Sequence, residues 1–209
     1  MRPKLYAFAL FVNSCALLLL LLLPSPLQAQ SAADAAPPRN EFFAGYSFNS
    51  ADIDSLTVAP ERTGQHGLNL AYTRYVTEHV GLTFDASAHL KRDDFTFNNL
   101  NFERKRDQYH FLGGVQFKSR RAQSRVAPFA HVLAGGALFR GFAVSRTQAG
   151  NTFLIDDAES FAMAFGGGLD VRAGKHFDIR VFQADYLPTF FGSTRQDNLR
   201  LSFGVVFRK

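Results

Sequence analysis

Apolar and polar residues alternate strictly along residues 198–207, which read NLRLSFGVVF. One face of this segment collects Leu199, Leu201, Phe203, Val205 and Phe207. A period of two residues predicts a β-strand with one apolar face, and about ten residues let a tilted strand cross a bilayer. A single strand in lipid would leave its backbone polar groups unpaired, so a spanning strand must be sealed into a closed barrel. We interpret residues 198–207 as the closing strand of such a barrel, paired with the first strand.

The same alternation defines eight segments, which are 41–50, 67–75, 80–89, 108–118, 127–137, 160–172, 177–186 and 198–207. The pattern is weakest in the fifth segment, where Pro128 and the Gly135-Gly136 pair interrupt it. Because one alternating segment is a weak signal, the argument rests on the eightfold recurrence. The predicted fold class is all-β, an eight-stranded antiparallel up-and-down transmembrane β-barrel.

The connections between these segments alternate in length. The short ones are 76–79, 119–125 and 173–176, and the long ones are 51–66, 90–107, 138–159 and 187–197. Outer-membrane barrels have short periplasmic turns and longer extracellular loops, and an even strand number leaves both termini in the periplasm. The pattern therefore predicts a protein of the bacterial outer membrane with both termini periplasmic.

The chemistry of the two faces indicates which one points outward. The polar face is built mainly from small residues such as Gly45, Ser47 and Gly204, and the whole chain has only six lysines. Small residues suit the cramped interior of an eight-stranded barrel, whose lumen is filled by side chains. The other face is rich in Phe, Leu and Val, with tyrosines toward the strand ends, and suits lipid with an aromatic girdle.

The first 29 residues have the parts of a secretory signal peptide, which we predict to be helical. A basic start and an apolar run at 5–23 precede two prolines and a small-residue cleavage site at 27–29. A retained transmembrane anchor is the alternative, because the apolar run is long enough to span. The predicted organisation is a signal peptide at 1–29, a flexible tail at 30–40 and a barrel domain at 41–209.

Charges on the polar face of the last strands should pair, because a buried charge is costly without a partner. The short connection 173–176 places Asp170 near Arg180, and the pairing of the last two strands places Asp185 near Arg200. Asp185 is out of phase with Arg180, so a β-bulge is required between them.

The closing seam extends this predicted network. Pairing of the last strand with the first brings Glu41 near Arg208, and Asp85 and His110 are candidates for the same interior. The network has the role of filling and rigidifying the barrel; a gated pore is the alternative, although eight strands leave no open channel. Its predicted members are Glu41, Asp85, His110, Asp170, Arg180, Asp185, Arg200 and Arg208.

Composition narrows the remaining functions. A formal net charge of +5, partly from the first residues, is too small and too scattered to indicate nucleic-acid binding. No motif for a metal, a nucleotide or another cofactor is present, and we predict none. The chain has 23 phenylalanines and no tryptophan, and its single cysteine, Cys15, lies in the predicted signal peptide.

The signal peptide, the eight segments, the alternating connections and the aromatic closing strand resemble the OmpA-like eight-stranded outer membrane β-barrel family over residues 41–209. The resemblance implies a monomer surrounded by outer-membrane lipids and inserted by the barrel-insertion machinery, which recognises a terminal aromatic residue. Here Phe207 is followed by Arg208 and Lys209, so that signal is displaced by two residues.

The predicted function is a structural, adhesive or small-gated-pore role without catalysis, in which the long connections contact an extracellular ligand. Aromatic residues change phase within 95–102, which predicts strands that continue beyond the membrane around an Asn98-Asn99 turn, with a similar arrangement around Gly150-Asn151. Two alternatives stay open. One is a lipid-modifying outer-membrane enzyme, which would need His131 on the lipid face, and the other is a soluble periplasmic lipocalin-like ligand-binding barrel.

Overall fold

The computed structural model describes residues 39–52, 62–97, 100–120, 124–145, 152–191 and 194–209. The predicted signal peptide, the tail before Arg39 and the turns at Asn98-Asn99 and Gly150-Asn151 lie outside the described residues. No helix among the described residues is long and apolar enough to cross a membrane.

Eight strands form a closed antiparallel barrel in which each strand pairs with its neighbours in the sequence. They are β1 (Asn40–Asp52), β2 (Arg62–Tyr75), β3 (Val80–Phe97), β4 (Leu100–Lys118), β5 (Val126–Ser145), β6 (Thr152–Arg172), β7 (Phe177–Phe191) and β8 (Thr194–Arg208). The seam between β1 and β8 runs from Glu41 opposite Arg208 to Ser50 opposite Leu199. The predicted fold class and the closing role of the last strand are confirmed.

The strand ends at the short connections lie within one residue of their predicted positions, for example Tyr75, Val80 and Lys118. At the other end every strand is longer than predicted; β3 continues to Phe97 and β4 begins at Leu100. The bounds given for the long connections were therefore too wide, whereas the predicted continuation of the strands toward Asn98-Asn99 and Gly150-Asn151 agrees with the lengths of β3–β6. The physical reason is that alternation requires an apolar outer face, whereas backbone pairing continues after the outer face has become polar.

Large apolar side chains cover the outer surface of the barrel, and its lumen is filled mainly by polar and small side chains together with a few large apolar ones such as Phe43 and Leu112. The exposed set includes Leu68, Leu82, Phe117, Val132, Phe165, Ile179, Leu201 and Phe207. In β5 the side chains of Phe129, His131 and Leu133 are buried in the lumen and Val132 is exposed. A continuous apolar surface of this size is unfavourable in water. The barrel therefore needs an apolar environment around its outer face.

A β-bulge in β7 interrupts the register between Arg180 and Gln183. Val181 and Phe182 are both exposed on the outside, each with 51% of its surface accessible, while Arg180 and Gln183 are both buried in the lumen. An extra residue in one strand shifts the phase of all residues after it. The bulge therefore puts Arg180 and Asp185 on the same face, as the sequence phase requires.

Candidate functional site

The candidate site is the polar lumen, and it begins near the chain ends with a line of alternating charges. Lys118 Nζ lies 2.8 Å from Glu41 Oε2 and 2.7 Å from Asp170 Oδ2. Arg180 continues the line, with Nε 2.8 Å from Asp170 Oδ1 and a second nitrogen 3.2 Å from Oδ2. This two-point contact is the strong geometry of an arginine–carboxylate pair, and it fixes the guanidinium in orientation.

Two aromatic rings hold the same guanidinium across the barrel. The carbon Cζ of Arg180 lies 4.3 Å from the ring centroid of Phe43 and 4.1 Å from that of Phe129. Phe43 belongs to β1 and Phe129 to β5, which are on opposite sides of an eight-stranded barrel. We call these three side chains the cross-lumen stack. A cation between two aromatic faces is stabilised by both rings, and here the stack spans the lumen from β1 to β5.

A second cluster lies farther into the barrel around Arg200, which is completely buried. Its nitrogens lie 2.7 Å from Asp85 Oδ1 and 2.7 Å from Asp185 Oδ2, and it also donates to Ser87 Oγ at 3.0 Å. Asp85 is on β3, so the contact reaches across the lumen from β8. We call Arg200, Asp85 and Asp185 the central cluster.

The central cluster is joined to the stack by neutral and basic groups around Asp185. Gln183 Nε2 donates to Asp185 at 2.8 Å, and the side-chain oxygen of Gln183 accepts a bond from Arg180 at 2.6 Å. His131 Nε2 lies 2.8 Å from the other oxygen of Asp185. Every carboxylate oxygen of Asp185 is thus engaged, which is the condition for keeping a buried charge.

The other half of the lumen is filled by uncharged polar groups on one side and apolar groups on the other. Ser47 Oγ lies 2.8 Å from His89 Nε2, and Asn49 donates to Gln108 at 2.9 Å. The apolar side consists of Leu112, Leu133, Ala137, Ala162, Ala164 and Leu187. Side chains therefore pack the lumen along its length, as expected for eight strands.

The predicted site residues divide into three groups. The structure places Asp170 beside Arg180, and Asp85 and Asp185 beside Arg200. His110 lies in the lumen at 3.4 Å from Ser87 Oγ and 3.1 Å from Gln108 Nε2, so its contacts are with neutral groups of β3 and β4.

The pair predicted at the closing seam is arranged differently from the prediction. Glu41 and Arg208 are opposite each other in the register, but their side chains turn to other partners. Glu41 contacts Lys118, and Arg208 contacts Asp178 at 3.0 Å and the carbonyl oxygen of Gly174 at 2.6 Å. Lys118, on β4, reaches across the lumen and pairs with the carboxylate of Glu41 in place of Arg208.

Sequence reasoning missed Lys118, His131 and Gln183 as members of the network. Lys118 is the last residue of the predicted segment 108–118, and it shares the phase of Gln116 and Gly114, which places it on the lumen face. The arrangement with His131 on the lipid face is wrong, because its side chain is buried against Asp185. Among the residues whose placement is described, no group of acidic, histidine or cysteine side chains could hold a metal ion.

Gly166 lies where β6 passes the central cluster, and a side chain there would collide with it. A Cβ at this position would be 2.0 Å from Asp185 Oδ1 and 2.5 Å from the carbonyl oxygen of Ala184. We expect Gly166→Ala to lower the free energy of unfolding by about 1–3 kcal/mol, because backbone and carboxylate both have to move. Gly113→Ala is the control, since its Cβ would meet only Thr83 O at 3.8 Å. Urea unfolding in lipid vesicles compares the two variants, and an equal effect at both positions would contradict the collision.

No protein-family model and no curated protein matches the sequence. Solved structures do match. One is Ail, the attachment invasion locus protein of Yersinia pestis, in complex with the heparin analogue sucrose octasulfate; it is 17% identical, with a TM-score of 0.53, over 80% of this chain and 97% of Ail. A second structure of Ail has 18% identity and a TM-score of 0.51 over 82% of this chain and 99% of Ail. Neisserial surface protein A has 12% identity and a TM-score of 0.46 over 84% of this chain and its full length.

At these identities the likeness is one of fold. The chain has the fold of the eight-stranded outer membrane β-barrels.

Proposed function

We propose that this chain is a monomeric outer-membrane protein whose barrel is closed to solutes and presents the ends of β3–β6 at the cell surface for adhesive contact. Two features together carry the proposal. Side chains fill the lumen, and β3–β6 extend beyond the apolar exterior.

The height of the apolar exterior supports insertion in a membrane. On β8 the outward apolar residues run from Leu199 to Phe207, with Asp197 and Arg195 beyond them. Nine residues at about 3.3 Å each, tilted by about 40°, span roughly 23 Å, close to the ~25 Å band of outer-membrane barrels. By the same rule for even strand numbers, both termini would be periplasmic.

Four neighbouring strands support a role at the opposite end. β3, β4, β5 and β6 have 18, 19, 20 and 21 residues, whereas the other four have 13 to 15. Outward charges on Arg92, Asp107 and Arg140 mark where their outer surface meets water. We call the part of β3–β6 beyond these charges the raised wall.

The lumen argues against the alternative roles. The cross-lumen stack and the central cluster occupy space that a pore would need, and they place buried charges where a lipocalin would hold a lipophilic ligand. An adhesive role also agrees with the likeness in fold to Ail, which is an argument by analogy.

The closed lumen makes a direct prediction. Vesicles containing the folded wild-type protein are expected to release a trapped small sugar no faster than empty vesicles. Release is measured by light scattering after osmotic shock, with a general porin as the positive control. Release at the rate of the porin vesicles would contradict the closed barrel.

The adhesive role is tested by shortening the raised wall without disturbing the barrel. Arg92 and Lys105 are register partners, so residues 93–104 are replaced by a two-residue Asn-Gly turn. The matched control shortens β7–β8 in the same way between Phe190 and Arg195, which are also partners. We expect the first variant, still folded and inserted, to lose attachment of expressing cells to host-cell surfaces, and the control to keep it. If cells expressing either variant attach equally well, the raised wall does not make the adhesive contact.

A further inference from the structure

Cations ring the end of the barrel that carries both chain ends. They are Arg39, Arg74, Arg125, Arg172, Lys175 and Lys209, and we call them the basic rim. Arg172 is the register partner of the buried Asp178 and so borders the mouth of the lumen. Among the described residues at this end, Glu78 is the exposed acidic side chain. The other acids here, Glu41, Asp170 and Asp178, are buried and contact cations within the lumen or at its mouth.

Backbone hydrogen bonds gather these cations into two groups. Tyr75 N donates to Arg39 O at 2.7 Å, and Asn40 exchanges two bonds of 2.9 Å with Lys209, so the ends of β1, β2 and β8 are held together. On the other side, Arg172 N donates to Arg125 O at 2.8 Å, and Lys175 follows in the next connection. These backbone bonds bring the chain segments together, and the positive side chains that the segments carry attract an anion.

A row of exposed aromatic residues lies directly above one of these groups. Phe177, Phe207 and Phe42 are register partners across β7, β8 and β1, and Tyr72 follows on β2. Aromatic residues at the edge of an apolar exterior lie at the level of lipid headgroups. Cations immediately beyond such a row lie at the depth of the lipid phosphates, where a juxtamembrane cation is attracted by anionic lipid.

The opposite edge of the apolar exterior is not similarly basic. There Asp107 is the register partner of Arg140, and Glu159 is the partner of Leu138 on the next strand pair. Arg92 and Lys105 are also partners and add two cations. Among the described outward side chains, the charges at this edge are therefore closer to balanced than those at the basic rim.

We propose that the basic rim binds the headgroups of anionic phospholipids, such as phosphatidylglycerol, in the leaflet on its side of the membrane. This inference rests on the proposed membrane function and adds the lipid class and the binding residues. Charge complementarity with the rim and its position beyond the aromatic row support this occupant.

The test measures lipid selectivity of the full-length folded protein in phosphatidylcholine bilayers. Spin-labelled phosphatidylglycerol and spin-labelled phosphatidylcholine report the motionally restricted lipid around the barrel. The rim variant carries Arg39→Gln, Arg125→Gln and Lys175→Gln, all exposed positions. The control carries Arg92→Gln, Lys105→Gln and Arg195→Gln at the opposite edge and changes the net charge equally.

We expect the wild type to prefer the anionic lipid by about 2- to 5-fold at low salt, and the control to keep that preference. The rim variant should fall to about 1, as should the wild type in high salt, where charges are screened. A ratio of 1 for the wild type, or an equal fall in both variants, would overturn the proposal. Peptidoglycan cosedimentation lost only in the rim variant, without lipid preference, would also overturn it by assigning the rim to the cell wall.

The same samples separate this inference from the membrane function. If the protein resists carbonate extraction but shows no lipid preference, the proposed membrane function stands and only the proposed lipid binding by the rim fails. A protein that is extracted from the bilayer loses both.

Discussion

Replacing Arg200 with methionine is expected to lower the free energy of unfolding by about 3–5 kcal/mol, since it leaves buried charges without a partner. Arg200 is fully buried and contacts both Asp85 and Asp185 at 2.7 Å. Methionine has a similar length but no hydrogen-bond donor. The carboxylates of Asp85 and Asp185 would therefore stay buried without the guanidinium that pairs with both of them. The loss comes from the unpaired acids rather than from the volume of the side chain.

Urea unfolding of the protein folded in lipid vesicles measures this effect. The control is Arg195→Met, which removes an exposed arginine paired with Asp197 and should change the unfolding curve little. Adding Asp85→Asn and Asp185→Asn to Arg200→Met should recover at least half of the loss, because a neutral central cluster has no charge to pair. If the triple variant has the same free energy of unfolding as Arg200→Met alone, the loss of ion pairing is not the cause.

Placing an arginine at the middle of the apolar exterior is expected to cost about 2–4 kcal/mol, provided that this surface faces lipid. Val132 is the central outward residue of β5 and is 48% exposed, so Val132→Arg adds a charge there without entering the lumen. Leu90→Arg is the matched control, because Leu90 is 50% exposed but lies at the edge, opposite Asp107. At the edge the same change should cost only about 0–1 kcal/mol.

Equilibrium folding into vesicles gives both values on the same scale. If the outer surface faced water, an exposed arginine would be accepted equally at both positions. Equal and small effects would therefore argue for a soluble barrel, and a larger effect at Val132 for a membrane.

Strands could be predicted from the sequence where apolar and polar residues alternate. The strand ends at the short connections were predictable because turn residues follow directly on the apolar exterior. The continuation of β3 and β4 was predicted from the aromatic phase change within 95–102, and the two strands do extend to Phe97 and from Leu100. The bounds of these extensions were not predictable, because beyond Leu90 and Asp107 pairing continues without an apolar outer face.

The site shows the same division between neighbouring and distant strands. Asp170 with Arg180 and Asp185 with Arg200 join adjacent strands, so register alone places them together. The contact of Arg200 with Asp85 joins β8 to β3 across the lumen, and that of Lys118 with Glu41 joins β4 to β1. Such contacts depend on side-chain length and packing within the closed barrel, which alternation does not encode.

Membrane fractionation followed by gel mobility with and without boiling distinguishes a membrane-spanning closed barrel from a soluble protein. A closed barrel that spans the outer membrane predicts a band in the outer-membrane fraction that migrates faster unboiled than boiled. The stable closed sheet from β1 to β8 is the reason, since it resists detergent until it is heated. A soluble periplasmic protein whose mobility does not change on boiling would contradict the account.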